Sequence, residues 1–197
     1  MDKFEKEMFE FLTQEENLKG LIIAKNQFNI VSETLIKTLW DKVAANLSLE
    51  MKRFPGWEVK TDKQISDSHS KIYLHDKELN LQKDGLPAMF FGWERLSRSY
   101  PYFGFFVNLA SEDFKVNEMV PYLADHKPDF AKEFKGQDGG WLFWDQDKQL
   151  DFNIDNTLIN IIPAKVDEKA KELSDMLLDL FINMQDIYRF IKLEYKK

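Results

Sequence analysis

Apolar residues recur at two different periods along this chain, and the change of period divides it. Between residues 2 and 12, Phe4, Met8, Phe11 and Leu12 fall at helical spacing, and Thr13-Gln14-Glu15-Glu16 reads as the start of a short second helix that stops near Gly20. From Asn29 to about Phe54, the positions Val31, Leu35, Leu39, Val43 and Leu47 recur every fourth residue. Ile30, Trp40 and Met51 widen that stripe until Pro55-Gly56 ends it, which predicts a helix facing a core.

Beyond Pro55-Gly56 the chain turns to short alternating or apolar runs separated by Gly, Pro, Asn and Asp, the pattern of strands. Strands are expected near residues 57–61, 79–82, 88–95, 103–109 and 141–144, the last forming a hairpin with 149–152 across Asp145-Gln146-Asp147-Lys148. Short helices are expected at 62–74 and 117–123. Near the end, Val166, Ala170, Leu173, Leu177, Leu180, Met184, Ile187 and Ile191 follow alternating steps of four and three, a heptad seam in a helix opened by Pro163. Met176, Leu178, Phe181, Tyr188 and Phe190 broaden the seam, so a long helix lying on the sheet is favoured, with pairing of its last turns to a second copy as the alternative.

These elements predict one α+β domain over 1–197. N-terminal helices occupy 1–54, a central antiparallel sheet of about five strands lies within 57–155, and a long C-terminal helix at 160–197 packs on the sheet. Composition agrees with a folded chain: 44% of the 197 residues are hydrophobic, 14% aromatic and 31% charged. No run approaches the roughly 20 apolar residues of a membrane span, and the acidic, amphipathic N-terminus is unlike a secretory signal. A cytoplasmic protein with no membrane partner is therefore expected. The absence of cysteine removes disulfides, thiolate nucleophiles and the usual zinc sites.

The net charge of −7 is uneven, with five basic and eleven acidic residues in 111–160. Because general nucleic-acid binding depends on neutralising phosphates, this balance argues against direct binding of DNA or RNA. It fits a protein partner instead, for example a basic nucleic-acid-handling protein facing Asp125, Asp129, Glu133, Asp138, Asp145 and Asp147.

Within that acidic region, HKPDFAKEFKG (126–136) contains the letters of a PD-(D/E)XK nuclease signature. Its spacing does not serve that chemistry. On a helix, Lys135 lies about 200° around from Glu133; on a strand, Asp129 and Glu133 stand about 13 Å apart, too far for one metal ion. Seven acidic-x-Lys triplets occur in the chain where chance places about four, so the triplet carries little information. Pro128, Asp129 and Gly136 fit a short surface helix better.

Glu58-Val59-Lys60 lies on an expected strand, where such a dyad belongs, but has no upstream acidic partner on a neighbouring strand. It reads as an edge-strand ion pair, with Glu58 and Lys60 kept as the catalytic alternative. His69, His75 and His126 lack the spacing of a helical metal pair, so no metal site and no cofactor are expected. The aromatic runs FFGW (90–93), YPYFGFF (100–106) and WLFW (141–144) supply core for a sheet. Their surplus can line a groove, and the candidate ligand or partner surface comprises Trp93, Arg95, Arg98, Tyr100, Tyr102, Trp141 and Trp144.

The order of elements, with LIKTLWDKVAANL, WEVKTD, MFFGWERL, FGFFVNLA and GGWLFWDQDKQLDF before a terminal helix beginning near LINII, resembles the C-terminal region of bacterial PD-(D/E)XK nuclease family proteins. There a tryptophan-rich strand precedes an Asn-Phe segment and the last helix; here Gly140-Trp141-Leu142-Phe143-Trp144 and Leu150-Asp151-Phe152-Asn153 occupy the matching places. The family's catalytic carboxylates and lysine belong to an N-terminal domain, so the resemblance implies a chain that starts after them: a non-catalytic accessory module from a mobile-element or phage-defence setting.

The function expected from sequence is thus a non-enzymatic recognition or regulatory module, acting through a protein contact or a ligand held on the aromatic sheet. A divergent metal-dependent nuclease and a small-molecule or nucleotide binder are the alternatives.

Overall fold

The computed structural model describes residues 3–62, 69–79, 86–97, 100–107, 125, 128, 141–146, 150–152 and 155–195. Two helices open the chain, α1 (Lys3–Leu12) and α2 (Glu15–Glu50), and a 3-10 turn at Met51–Arg53 follows. Among the described residues five strands come next: β1 (Trp57–Thr61), β2 (Lys71–Asp76), β3 (Met89–Glu94), β4 (Tyr102–Val107) and β5 (Trp141–Gln146). The chain closes with α3 (Asp155–Asn160), α4 (Val166–Asn183) and α5 (Gln185–Tyr195). The strands form one sheet in sequence order, every neighbour antiparallel, with helices packed on one of its faces. This is the α+β arrangement that the change of period predicts.

Several elements differ from the sequence reading, each for a physical reason. The helix expected to stop near Gly20 runs straight through it, because one mid-helix glycine costs only about 1 kcal/mol and no proline follows to break the backbone ladder. The second strand is KIYLHD at 71–76, where the pattern predicts the end of a helix over 62–74; of the strand expected at 79–82 only Leu79 lies within the described residues, and it follows β2 as a bend. Five of the six residues of β2 are buried, so both of its sides are covered and neither period is visible along it. The expected hairpin with 149–152 does not form within the described residues: Leu150 and Phe152 are buried but carry no strand, and β5 pairs with β4.

At the C-terminus, the single long helix is two. Met184 takes φ −98°, ψ 6° between α4 and α5, yet its N–H still donates to the Leu180 carbonyl at 3.0 Å and its carbonyl accepts from Tyr188 N–H at 2.9 Å. The seam therefore keeps its phase through the joint. All eight seam residues are buried, none more than 4% exposed, against α2 and the sheet.

The core lies between these helices and the facing side of the sheet. Ile72, Leu74, Met89, Phe91, Trp93, Phe105 and Val107 point toward the helices, meeting Leu39, Trp40, Val43 and Leu47 of α2 and the seam of α4 and α5. The two largest buried rings are each fixed by a hydrogen bond: Trp40 Nε1 donates to the Leu96 carbonyl at 2.6 Å, and Trp93 Nε1 donates to the Leu173 carbonyl at 3.2 Å. A buried indole N–H left unpaired would cost about 1–3 kcal/mol, so these bonds fix the height of α2 and α4 over the sheet.

A second tether holds α5. Asp76, 3% exposed at the end of β2, accepts from the Tyr188 hydroxyl at 2.5 Å and pairs with Lys192, which also reaches Glu78 at 2.9 Å. Burial pushes the Asp76 carboxyl up, but the Lys192 ammonium and the Tyr188 hydroxyl outweigh it and hold the group below the usual aspartate value. The ionised form is thus favoured by folding, and its stabilisation is complete above about pH 4 and is lost as pH falls through the lower native pKa. Asp76→Asn is expected to cost about 1–3 kcal/mol near neutrality, since Lys192 retains Glu78. In urea denaturation series at decreasing pH, the gap between wild type and variant should close below about pH 4; a gap of constant size would contradict this assignment.

Candidate functional site

Alternation in β2 to β5 sends the remaining side chains to the face away from the helices, where the register sorts them into three rows. Lys71, Glu94, Tyr102 and Gln146 are in register across four strands and make a polar row. Next come Tyr73, Gly92, Gly104 and Trp144, and beyond them Phe90, Phe106 and Trp141. The middle row has no side chain at its two central positions.

Trp141 and Trp144 are three residues apart and would face opposite sides of a regular strand. The irregularity between Phe105 and Phe106 skips one residue of β5, placing Trp144 opposite Gly104 and Trp141 opposite Phe106. Both tryptophans therefore join the same aromatic cluster, with Phe90 stacked on Phe106 at 4.6 Å and Trp141 edge-on to Tyr102 at 5.3 Å. Gly92 is required beneath them: a Cβ there would lie 2.8 Å from both the Ile72 carbonyl oxygen and the Tyr73 Cβ.

A cleft of about 400 Å³ opens on this face. All four residues of the polar row line it, with His69, Leu86, Arg95, Phe106, Trp141 and Trp144. Its volume lies in the range of small-molecule sites. One wall is aromatic, and the opposite end is charged.

The charged end is built around Glu94, which is 6% exposed. An unpaired carboxylate at such a depth would be prohibitively costly, and the neighbours remove that cost. His69 Nδ1 stands 3.0 Å and Lys71 Nζ 3.5 Å from Oε1, and the Tyr102 hydroxyl donates to the carboxylate. Lys71 Nζ also donates to the His69 carbonyl at 2.8 Å, and the Trp141 indole donates to the Tyr102 oxygen. Burial first, and then the Glu94 charge and hydrogen bond, push the Tyr102 phenol above its ordinary range, so it remains a donor.

Arg95 follows Glu94 and should by alternation face the helices. Instead it adopts φ 63°, in the left-handed region that non-glycine residues avoid, while its N–H donates to the Ser70 carbonyl at 3.0 Å. That turn brings its guanidinium over the Tyr102 ring, 5.4 Å from the centroid. Among the described residues no carboxylate forms an ion pair with Arg95, whereas Glu94 has Lys71 beside it. The cleft thus presents a cation next to aromatic faces.

Of the surface residues expected from sequence, Arg95, Tyr102, Trp141 and Trp144 come together here. Trp93 does not: as an odd-numbered residue of β3 it faces the helices and is fully buried against Trp40 and Phe103. Tyr100 also takes a left-handed conformation, at φ 56°, and its hydroxyl bonds Asp151 outside the cleft. Arg98 lies outside the described residues, as do His126, Asp129, Glu133, Asp138 and Asp147; Asp125 and Asp145 are exposed, and Pro128 is helical.

Glu58 and Lys60 lie on the edge strand β1 as an ion pair 2.8 Å apart, and His75 sits between Glu58 at 3.1 Å and the Leu79 carbonyl at 3.0 Å. The hydrogen bonds from Lys60 and His75 hold the Glu58 carboxyl below its usual value. Among the described residues no cluster of three or more His, Asp or Glu side chains is placed to hold a metal ion. The sequence reading missed Glu94, His69, Lys71 and Gln146. Parity supplies a signal for Glu94, which shares a face of β3 with Phe90, and for Gln146, which shares a face of β5 with Trp144.

Gly92→Ala is expected to destabilise the domain by about 1–3 kcal/mol, since the clash falls on backbone and on a Cβ that cannot swing away. Chemical denaturation measures it, and a neutral result would show that the strands are not this close. Comparison of the chain with models of protein families, with curated proteins and with solved structures finds no match.

Proposed function

We propose that this chain is a non-enzymatic recognition module that binds a small planar ligand carrying a negative charge in the cleft on the aromatic face of its sheet. The observation that carries this reading is the Arg95 guanidinium, turned by a left-handed backbone onto the Tyr102 ring at the mouth of a cleft walled by Trp141 and Trp144. Planar rings stack on such walls, and a phosphate or carboxylate complements an arginine that has no acidic partner among the described residues. Because the Glu94 charge is met by Lys71 and hydrogen-bonded by Tyr102, it fixes the geometry of the cleft without repelling an anion. Recognition through the acidic surface has no comparable support, as four of its six residues lie outside the described structure. A nuclease reading is disfavoured by the bonds that already engage Glu58.

Thermal-shift measurements with the four nucleoside 5′-monophosphates, their uncharged nucleosides and simple aromatic carboxylates test the proposal. A ligand at about 100 times its Kd adds about 2.7 kcal/mol to native stability, or about 5–10 °C in a domain of this size. The charged member of a pair should give the larger shift, with quenching of tryptophan fluorescence. Arg95→Gln should remove the preference for charge while leaving the unliganded melting temperature within about 1 °C, as an exposed substitution does. No shift across the panel, or equal shifts for nucleosides and their monophosphates, would sink the reading.

A further inference from the structure

Residues 3–31 form an arm that contributes no buried residue to the core described above. No residue of α1 is buried, and the buried residues of α2 begin only at Ile36. Eleven large apolar side chains between Phe4 and Val31 stand 43–66% exposed. They do not form one stripe on α2. At 100° per residue, Leu21, Ile22, Ile23, Phe28, Ile30 and Val31 point in all directions around the axis. A helix apolar all round is a helix meant to be surrounded.

We infer that the arm is the interface of a homodimer, in which α1 and the first half of α2 from two copies of this chain associate as a small helical bundle. Area is the first argument. Eleven such side chains at about half exposure, with roughly 200 Å² each, leave on the order of 1,000 Å² of apolar surface per chain. A stable interface takes about 800 Å² from each partner, whereas the largest apolar patch of a typical monomer is about 300–600 Å².

Shape supplies the second argument. The amphipathic stripe of α1, formed by Phe4, Met8 and Phe11, is itself exposed, at 43–66%. A two-fold arrangement gives each all-round apolar α2 the other α2 and an α1 stripe as neighbours, and the same patch serves both copies. Charge is the third. Residues 3–31 hold four lysines and five glutamates, close to neutral in a chain of net charge −7, so two arms meet without strong repulsion. The mixture does not suit a lipid surface, since interfacial helices carry a polar face rich in Lys and Arg.

The C-terminal seam does not compete for this role, because its eight residues are spent inside the chain. Nor does the dimer depend on the cleft, which lies on the far face of the sheet.

Sedimentation velocity or light scattering on the full chain decides the matter. Wild type should show twice the chain mass of 23.4 kDa. The double substitution Ile22→Glu, Phe28→Glu should shift it to the single-chain mass with the denaturation midpoint of the domain unchanged at matched low concentration, as both side chains are exposed. Leu193→Glu, an exposed apolar residue at the other end, should leave the dimer intact. A wild-type chain of monomer mass, a dimer that survives the double substitution, or flotation with neutral phosphatidylcholine vesicles in place of self-association overturns the inference.

Discussion

The central strand β3 is buried along its whole length on both faces, and the rest of the structure answers to that constraint. On one side Met89, Phe91 and Trp93 need apolar cover, which α2, α4 and α5 provide. On the other side Phe90, Gly92 and Glu94 leave the strand with a ring, a gap and a charge in succession. The charge cannot be buried alone, so Lys71 of β2, Tyr102 of β4 and His69 before β2 converge on it. The gap cannot be filled, because the neighbouring strand approaches too closely. A cleft edged by polar groups and backed by rings is the consequence of placing those three residue types in that order on one buried strand.

Much of this was legible in the sequence where a single period dominates. The strands at 57–61, 88–95, 103–109 and 141–144 were found within one or two residues because turn residues bound them and aromatic content marks them. The seam of the last helices was read to the residue, for a heptad phase survives even the joint at Met184. What was lost is instructive. KIYLHD is covered on both sides, so it shows no alternation, and the first half of α2, through Gly20, shows no stripe because its apolar residues fall on every side of the axis. Periodicity reports a boundary between core and water, and neither segment sits at a simple one.

The site was half legible. Aromatic abundance pointed to Tyr102, Trp141 and Trp144, but abundance alone could not separate Trp93, whose parity sends it to the opposite face. The placement of both tryptophans of β5 on one face depends on a skipped residue that no local pattern announces. Arg95 was singled out for its proximity to aromatic residues, yet its role depends on a left-handed φ at a position where arginine has no intrinsic preference for it. Glu94 looked like one acidic residue among 34; only its position in a strand covered on both sides makes it costly, and hence structural.

The two unusual surfaces of the protein differ in what holds them. The cleft is braced from within its own walls: Lys71 pairs with Glu94, Tyr102 bonds both Glu94 and Trp141, and its rings rest on one another. The arm has no such support. A helix of this length is marginal in water by itself, but here it grows from the anchored half of α2, so the cost of nucleation is already met at Ile36–Leu47 and each further turn needs only propagation. Propagation explains why the first half of α2 is helical, but it does not account for the apolar residues the arm carries. Glutamate, lysine or alanine would extend a free helix at least as well as isoleucine or phenylalanine, which have lower helix propensity. Ile22, Ile23, Phe28 and Ile30 therefore lower the stability of the isolated arm and are favourable only where another surface removes them from water.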